Sequence, residues 1–140
     1  MRIARWLVTF VCLLGSGGFI ADFVVWETAR QHMKNPAWPP HAKFHNAQTM
    51  LMGIGSGILG GLVLFASRPL TTRRLLLASG AASLYWISML VAPLFPGTAW
   101  SDPEFRDSTP RPLGVYPQQL LAYAAIGILA FALLLSWMFR

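Results

Sequence analysis

The sequence predicts an all-α polytopic integral membrane protein, a bundle of four transmembrane helices. Three observations carry that expectation. Long apolar blocks fill most of the chain, each close to the roughly 20 residues a helix needs to cross about 30 Å of hydrocarbon. Only 11% of the residues are charged, against about 25% in an average soluble domain. Those few charges collect in the connectors between blocks. The 140 residues are enough for one domain, expected over 1–140.

The first span is expected over 6–26, interrupted only by Asp22. Arg2 and Arg5 precede it, as in a signal peptide. Its apolar run continues past the usual stretch of about 7–15 residues, and Phe19-Ile20-Ala21 is a poor small-x-small cleavage site. It therefore reads as a retained span. The second, third and fourth spans, expected over 47–67, 75–96 and 116–139, contain no charge.

The connectors set the orientation. Arg2, Arg5, Arg68, Arg73, Arg74 and Arg140 lie on one side with no acid. Arg30, Lys34, Lys43, Arg106 and Arg111 lie on the other with all five acids. Three arginines crowd the short connector between the second and third spans, which favours the cytoplasm for that side. Both termini are expected in the cytoplasm, with a bacterial inner membrane as the location. Loops 28–44 and 97–115 then face outward. The net charge of +6 lies in connectors and not on one face. It reads as topology signal and contact with lipid headgroups, and no nucleic-acid partner is expected.

Cys12 is the only cysteine. One cysteine cannot form an internal disulfide or a CxxC pair, which excludes thiol–quinone oxidoreductase chemistry. It reads as a small packing residue. Gly53, Gly57 and Gly61 recur at four-residue spacing with Gly60 beside them. Such a stripe lets another helix approach closely. Gly15, Gly18, Ser79 and Ser83 are candidates to meet it, and packing within one bundle is favoured over a homo-oligomer seam.

Ionisable residues in membrane helices belong where they face a cavity or a partner. Asp22 and Trp26 share a face of the first span, with Glu27 next. Pro39-Pro40 is expected to start the second helix. His41, His45 and Thr49 then fall on one face, with Gln48 beside them. Tyr116, Gln119 and Tyr123 share a face of the fourth helix. With Trp38 in the first outer loop, these groups converge on the outer ends of three helices.

Each residue also has a plainer role. His41 and the tyrosines suit a headgroup belt, Glu27 suits a solvated loop, and Asp22 can pair with Arg30 or Lys43.

Four uses of the cluster stay open. The first is acid/base chemistry on a lipophilic small molecule entering from the outer leaflet. A poorly solvated carboxylate and a nearby imidazole can exchange protons near neutrality. Asp22 and His45 are the favoured catalytic pair, followed by Glu27 and His41. Trp26, Trp38, Gln48, Thr49, Gln119 and Tyr123 are the candidate ligand contacts. In the second, His41 and His45 share a metal ion completed by Asp22 or Glu27. HxxxH alone does not define a ligand set, and it lacks the glutamate of HExxH. The third is a single haem on His32 or His45. The fourth is no chemistry, the outer loops docking an accessory or assembly subunit to a larger membrane complex. No cofactor or metal ligand set is assigned.

The run Asn35-Pro36-Ala37-Trp38-Pro39-Pro40-His41-Ala42-Lys43-Phe44-His45-Asn46-Ala47-Gln48-Thr49 resembles the most distinctive block of a family of small four-helix membrane proteins of bacteria and fungi. That family has no established function. The resemblance implies the fold and points to the first outer loop, and it implies no reaction. Lys43, His45 and Asn46 also loosely resemble the polar run of glutathione-using membrane enzymes. The arginine of that run is absent, and Gln48 stands where an acid is usual.

The leading expectation is an outer-facing polar pocket that binds, and converts by acid/base chemistry, a lipophilic small molecule. The alternative is an accessory subunit.

Overall fold

A computed structural model describes residues 1–66 and 68–138. The expected span ends at 67 and 139, and Arg140, lie outside the described residues. Among the described residues all regular structure is helical, and four helices are long and apolar enough to cross a membrane. The protein is an integral membrane protein whose outer surface contacts lipid.

The first span is not one uniform helix. Helix α1 runs Arg2–Leu14, a short α2 covers Gly17–Phe19, and a π-helical segment covers Ile20–Val24. At the break, the Ser16 amide and hydroxyl both donate to the Leu13 carbonyl, at 3.1 Å and 2.7 Å. The Val25 amide closes the wider π turn on the Ile20 carbonyl at 2.9 Å. Val25 is extended, with φ −73° and ψ 117°. The span therefore stops at Val24, short of the expected 26. The short α3, Trp26–Ala29, folds back, and the Thr28 hydroxyl donates to the Ala21 carbonyl near the span's end.

Helix α4 spans Pro40–Phe65, with Pro40 in its first turn, where a missing N–H costs nothing. It begins before the uncharged block at 47. Its 26 residues are about 39 Å long at 1.5 Å per residue. That exceeds about 30 Å of hydrocarbon, which leaves length to spare for tilt or for projection beyond the hydrocarbon. Helix α5, Thr72–Val91, is capped by Thr71, whose hydroxyl accepts the Arg74 amide at 3.3 Å. A 3-10 turn over Ala92–Leu94 extends it. Helix α6 spans Pro117–Met138.

The four long helices form a ring in which α1 lies beside α4 and α6, and α5 closes the opposite side against the same two. Across the centre, α1 touches α5. Val8, Val11, Leu64, Leu75, Trp86, Ala125 and Leu129 are buried in the core. Leu51, Leu62, Leu76, Leu84 and Phe131 stay exposed. In water that surface would drive association; in a bilayer it meets acyl chains.

Small residues set the closest approach. A Cβ on Gly15 would lie 2.6 Å from the Gly53 carbonyl oxygen, and one on Gly60 would lie 2.8 Å from Cys12 Sγ. A Cβ on Gly57 would meet the Cys12 backbone. Gly53, Gly57 and Gly60 thus pack inside the bundle, while Gly61 has open space around it.

Candidate functional site

The π-helical segment presents Asp22 at the end of the bundle that carries the two longer loops. π-helical turns add a residue to the helix and often mark functional positions, because they re-aim one side chain. Its carboxylate Oδ1 lies 3.2 Å from Nδ1 of His32, with both side chains partly buried. The same Nδ1 lies 3.1 Å from the Thr28 carbonyl. Facing a carboxylate and a carbonyl, which accept, Nδ1 is assigned the hydrogen. The Trp38 ring meets the His32 ring edge-on, with centroids 5.3 Å apart.

Two further side chains approach this pair. Asn46 of α4 is directed toward Asp22, but its Nδ2 is buried without a hydrogen bond of full geometry. Tyr85 of α5 is buried near the same end of the bundle. Its hydroxyl sits against Gly18, where an added Cβ would lie 2.5 Å away. Gly18 therefore makes room for the phenol.

On its other side Tyr85 lines a cavity of about 360 Å³. The walls come from Thr49 of α4, Ser88 and Met89 of α5, Ala92 and Pro93 beyond it, Thr98, Ala99 and Trp100 of the loop before α6, and Gln118 of α6. Gln118 Nε2 donates to the Trp100 carbonyl at 2.7 Å, tying the loop to α6. The volume lies within the range of small-molecule sites, roughly 300–1,000 Å³.

The two longer loops hold each other. Asn35 is buried; its Nδ2 donates to Glu104 Oε1 at 3.1 Å, and its Oδ1 accepts the Ala37 amide at 2.9 Å. Trp38 Nε1 donates to Asp102 Oδ2 at 3.3 Å.

The predicted residues divide into separate places. Asp22 pairs with His32, and not with Arg30 or Lys43. His41, His45 and Gln48 form a second group on an exposed face of α4. His45 Nε2 lies 3.1 Å from His41 Nε2, and His45 Nδ1 lies 3.3 Å from Gln48 Oε1. Thr49 donates to the His45 carbonyl at 2.9 Å and lines the cavity. Gln119 and Tyr123 bond to each other at 3.0 Å, with Tyr123 exposed. Trp26 is exposed under the Lys34 ammonium, 5.2 Å from its ring, and Glu27 is exposed beside it.

Asn35 and Tyr85 carry contacts that sequence reasoning did not assign to the site, and it named His32 only as a haem ligand and Asn46 only in a resemblance. Asn35-Pro36 offered a signal, since an asparagine before proline is prone to bond its own backbone two residues on. Tyr85 offered none, because an aromatic inside an uncharged span reads as core.

Among the described residues no group of three or more His, Cys, Asp or Glu side chains could hold a metal ion together. No curated protein and no solved structure matches the chain. A family profile does match, over residues 7–136, which takes in most of the first and last spans, the whole of the two between them and the Asn35–Thr49 block. The chain belongs to that family, described as a family of unknown function (DUF6640).

Proposed function

We propose that the protein binds a lipophilic small molecule in the cavity beside Tyr85 and converts it by acid/base chemistry. The observation that carries this reading is the position of Tyr85, which lines the cavity while its hydroxyl sits against Gly18 of the span that bears Asp22. The Asp22–His32 pair supplies a proton store, and the phenol of Tyr85 is the group in this reading that passes protons between that store and the cavity. His32 takes the role that the sequence assigned to His45. The cavity wall is mostly apolar, and Thr49, Ser88 and Gln118 offer the few polar groups that orient a ligand. In this reading both termini are cytoplasmic, so the cavity opens near the outer leaflet.

The test is native mass spectrometry of protein purified in mild detergent, alongside Met89→Trp. Met89 lines the cavity, and tryptophan would fill it. The expected result is a small molecule retained by the wild type and lost in Met89→Trp, with Asp22→Asn still binding but no longer converting it. A wild type that arrives bare, or with another polypeptide, overturns the reading in favour of an accessory subunit.

A further inference from the structure

The outward face of α4 carries a feature independent of the cavity. Nε2 of His41 and Nε2 of His45 point at each other, 3.1 Å apart, with ring centroids 4.5 Å apart and planes 78° to one another. Two nitrogens that share one ion at about 2.0–2.1 Å with tetrahedral angles stand roughly 3.3 Å apart. The two rings already hold nearly that separation.

The surroundings fix the rings in a coordinating state. Gln48 can meet the Nδ1 of His45 through Oε1, a carbonyl that only accepts. That assigns the hydrogen to Nδ1 and leaves the Nε2 lone pair facing His41. A partner on the remote imidazole nitrogen is the usual second shell of a metal-bound histidine. His41 lies parallel to Phe44, with planes 4° apart and centroids separated by 6.1 Å. The helix beneath is set by Pro39 in extended geometry and Pro40 in the first turn, which holds the i, i+4 spacing. Both histidines are exposed, so an ion can reach them from the aqueous side.

We propose that His41 and His45 form a two-nitrogen site for a late first-row divalent metal ion, Cu²⁺ or Zn²⁺. Without the ion, His41 Nε2–H donates to His45 Nε2. On binding, the His41 proton moves to its own Nδ1 and the ion takes its place between the rings. Water fills the remaining positions, since no third His, Cys, Asp or Glu among the described residues joins the pair. Imidazole nitrogen suits both ions, and Cu²⁺ binds such ligands most tightly of the divalent series.

The experiment titrates Cu²⁺, and separately Zn²⁺, into the full chain in mild detergent by calorimetry, with electron paramagnetic resonance of the Cu²⁺ form. The expected result is one ion per chain, with hyperfine coupling to two imidazole nitrogens. Gln48→Ala weakens binding about tenfold, and His41→Ala and His45→Ala weaken it further. Gln48→Glu strengthens it, because a carboxylate makes the imidazole a better donor. That opposite sign separates the site from a loss of fold, and circular dichroism confirms helix content in each variant. Failure to bind either ion overturns the proposal. So does a stoichiometry and spectrum unchanged in both histidine variants.

Discussion

Asp22 and His32 are joined by a 3.2 Å contact between Oδ1 and Nδ1, made where the first span ends in a π-helical segment and the chain turns back through α3. The contact ties the one acid inside the first span to a loop residue. Removing either partner leaves the other partly buried and less well bonded. Asp22→Ala should lower stability by about 1.5–3 kcal/mol, as expected for losing a hydrogen bond to a charged group. Combined with His32→Ala, the loss should be smaller than the sum of the two. Chemical unfolding in detergent, run as a double-mutant cycle, checks this; additive losses would mean the contact contributes nothing.

The two longer loops should come apart together. Asn35→Ala removes the bond to Glu104 and the acceptor of the Ala37 amide. Hydrogen exchange at the Ala37 amide should speed up, and protease cleavage near 102–108 should rise with it. Trp38→Phe removes only the bond to Asp102 and should produce a smaller version of the same effect. Faster exchange at Ala37 with no change near 102–108 would show that the loops do not support each other.

Two glycines of one stripe should respond oppositely. At Gly57 a methyl group meets the Cys12 backbone, which cannot rotate away. Gly57→Ala should cost roughly 1–3 kcal/mol as overpacking. At Gly61 nothing lies in the way, and alanine is the better helix former. Gly61→Ala should leave the thermal midpoint unchanged or slightly raised. Equal losses at both would place a second helix against Gly61 and favour an oligomer.

The proposed orientation is open to direct labelling. In a Cys12→Ser background, Ser108→Cys should react with a membrane-impermeant maleimide added outside intact cells. Arg2→Cys should react only after the membrane is opened. The reverse pattern would put both termini outside.

Much of the fold was legible in the sequence, because a bilayer leaves few choices. Every backbone polar group must be satisfied within the segment, so an uncharged run of sufficient length becomes a helix. The four spans follow from that rule, and Pro39-Pro40 marked the start of α4. The first span is the exception. Gly15 and Ser16 sit at its break, and hydropathy does not register a π turn, so its end differs from the expected 26.

The site was less legible. Helical spacing placed His41, His45 and Gln48 on one face, and they do lie together. Spacing along one helix, however, does not say which neighbour that face meets. In the ring, Asn46 turns toward Asp22, while the histidines on the exposed face turn outward. The partner of Asp22 comes from a loop, where no periodicity applies.

The sequence by itself determined an integral membrane protein of four helices with its acids in the two longer loops and at one end of the first span. Apolar length and charge placement decide those features, and both are local properties of the chain. Only the tertiary structure decided that Asp22 meets His32, that Asn35 reaches Glu104, and that Tyr85 lines a cavity with its hydroxyl against Gly18. Those contacts join residues far apart in the chain or across a turn. They depend on how helices rotate and how closely they approach, which the small residues Gly15, Gly18, Gly53 and Gly57 set through packing.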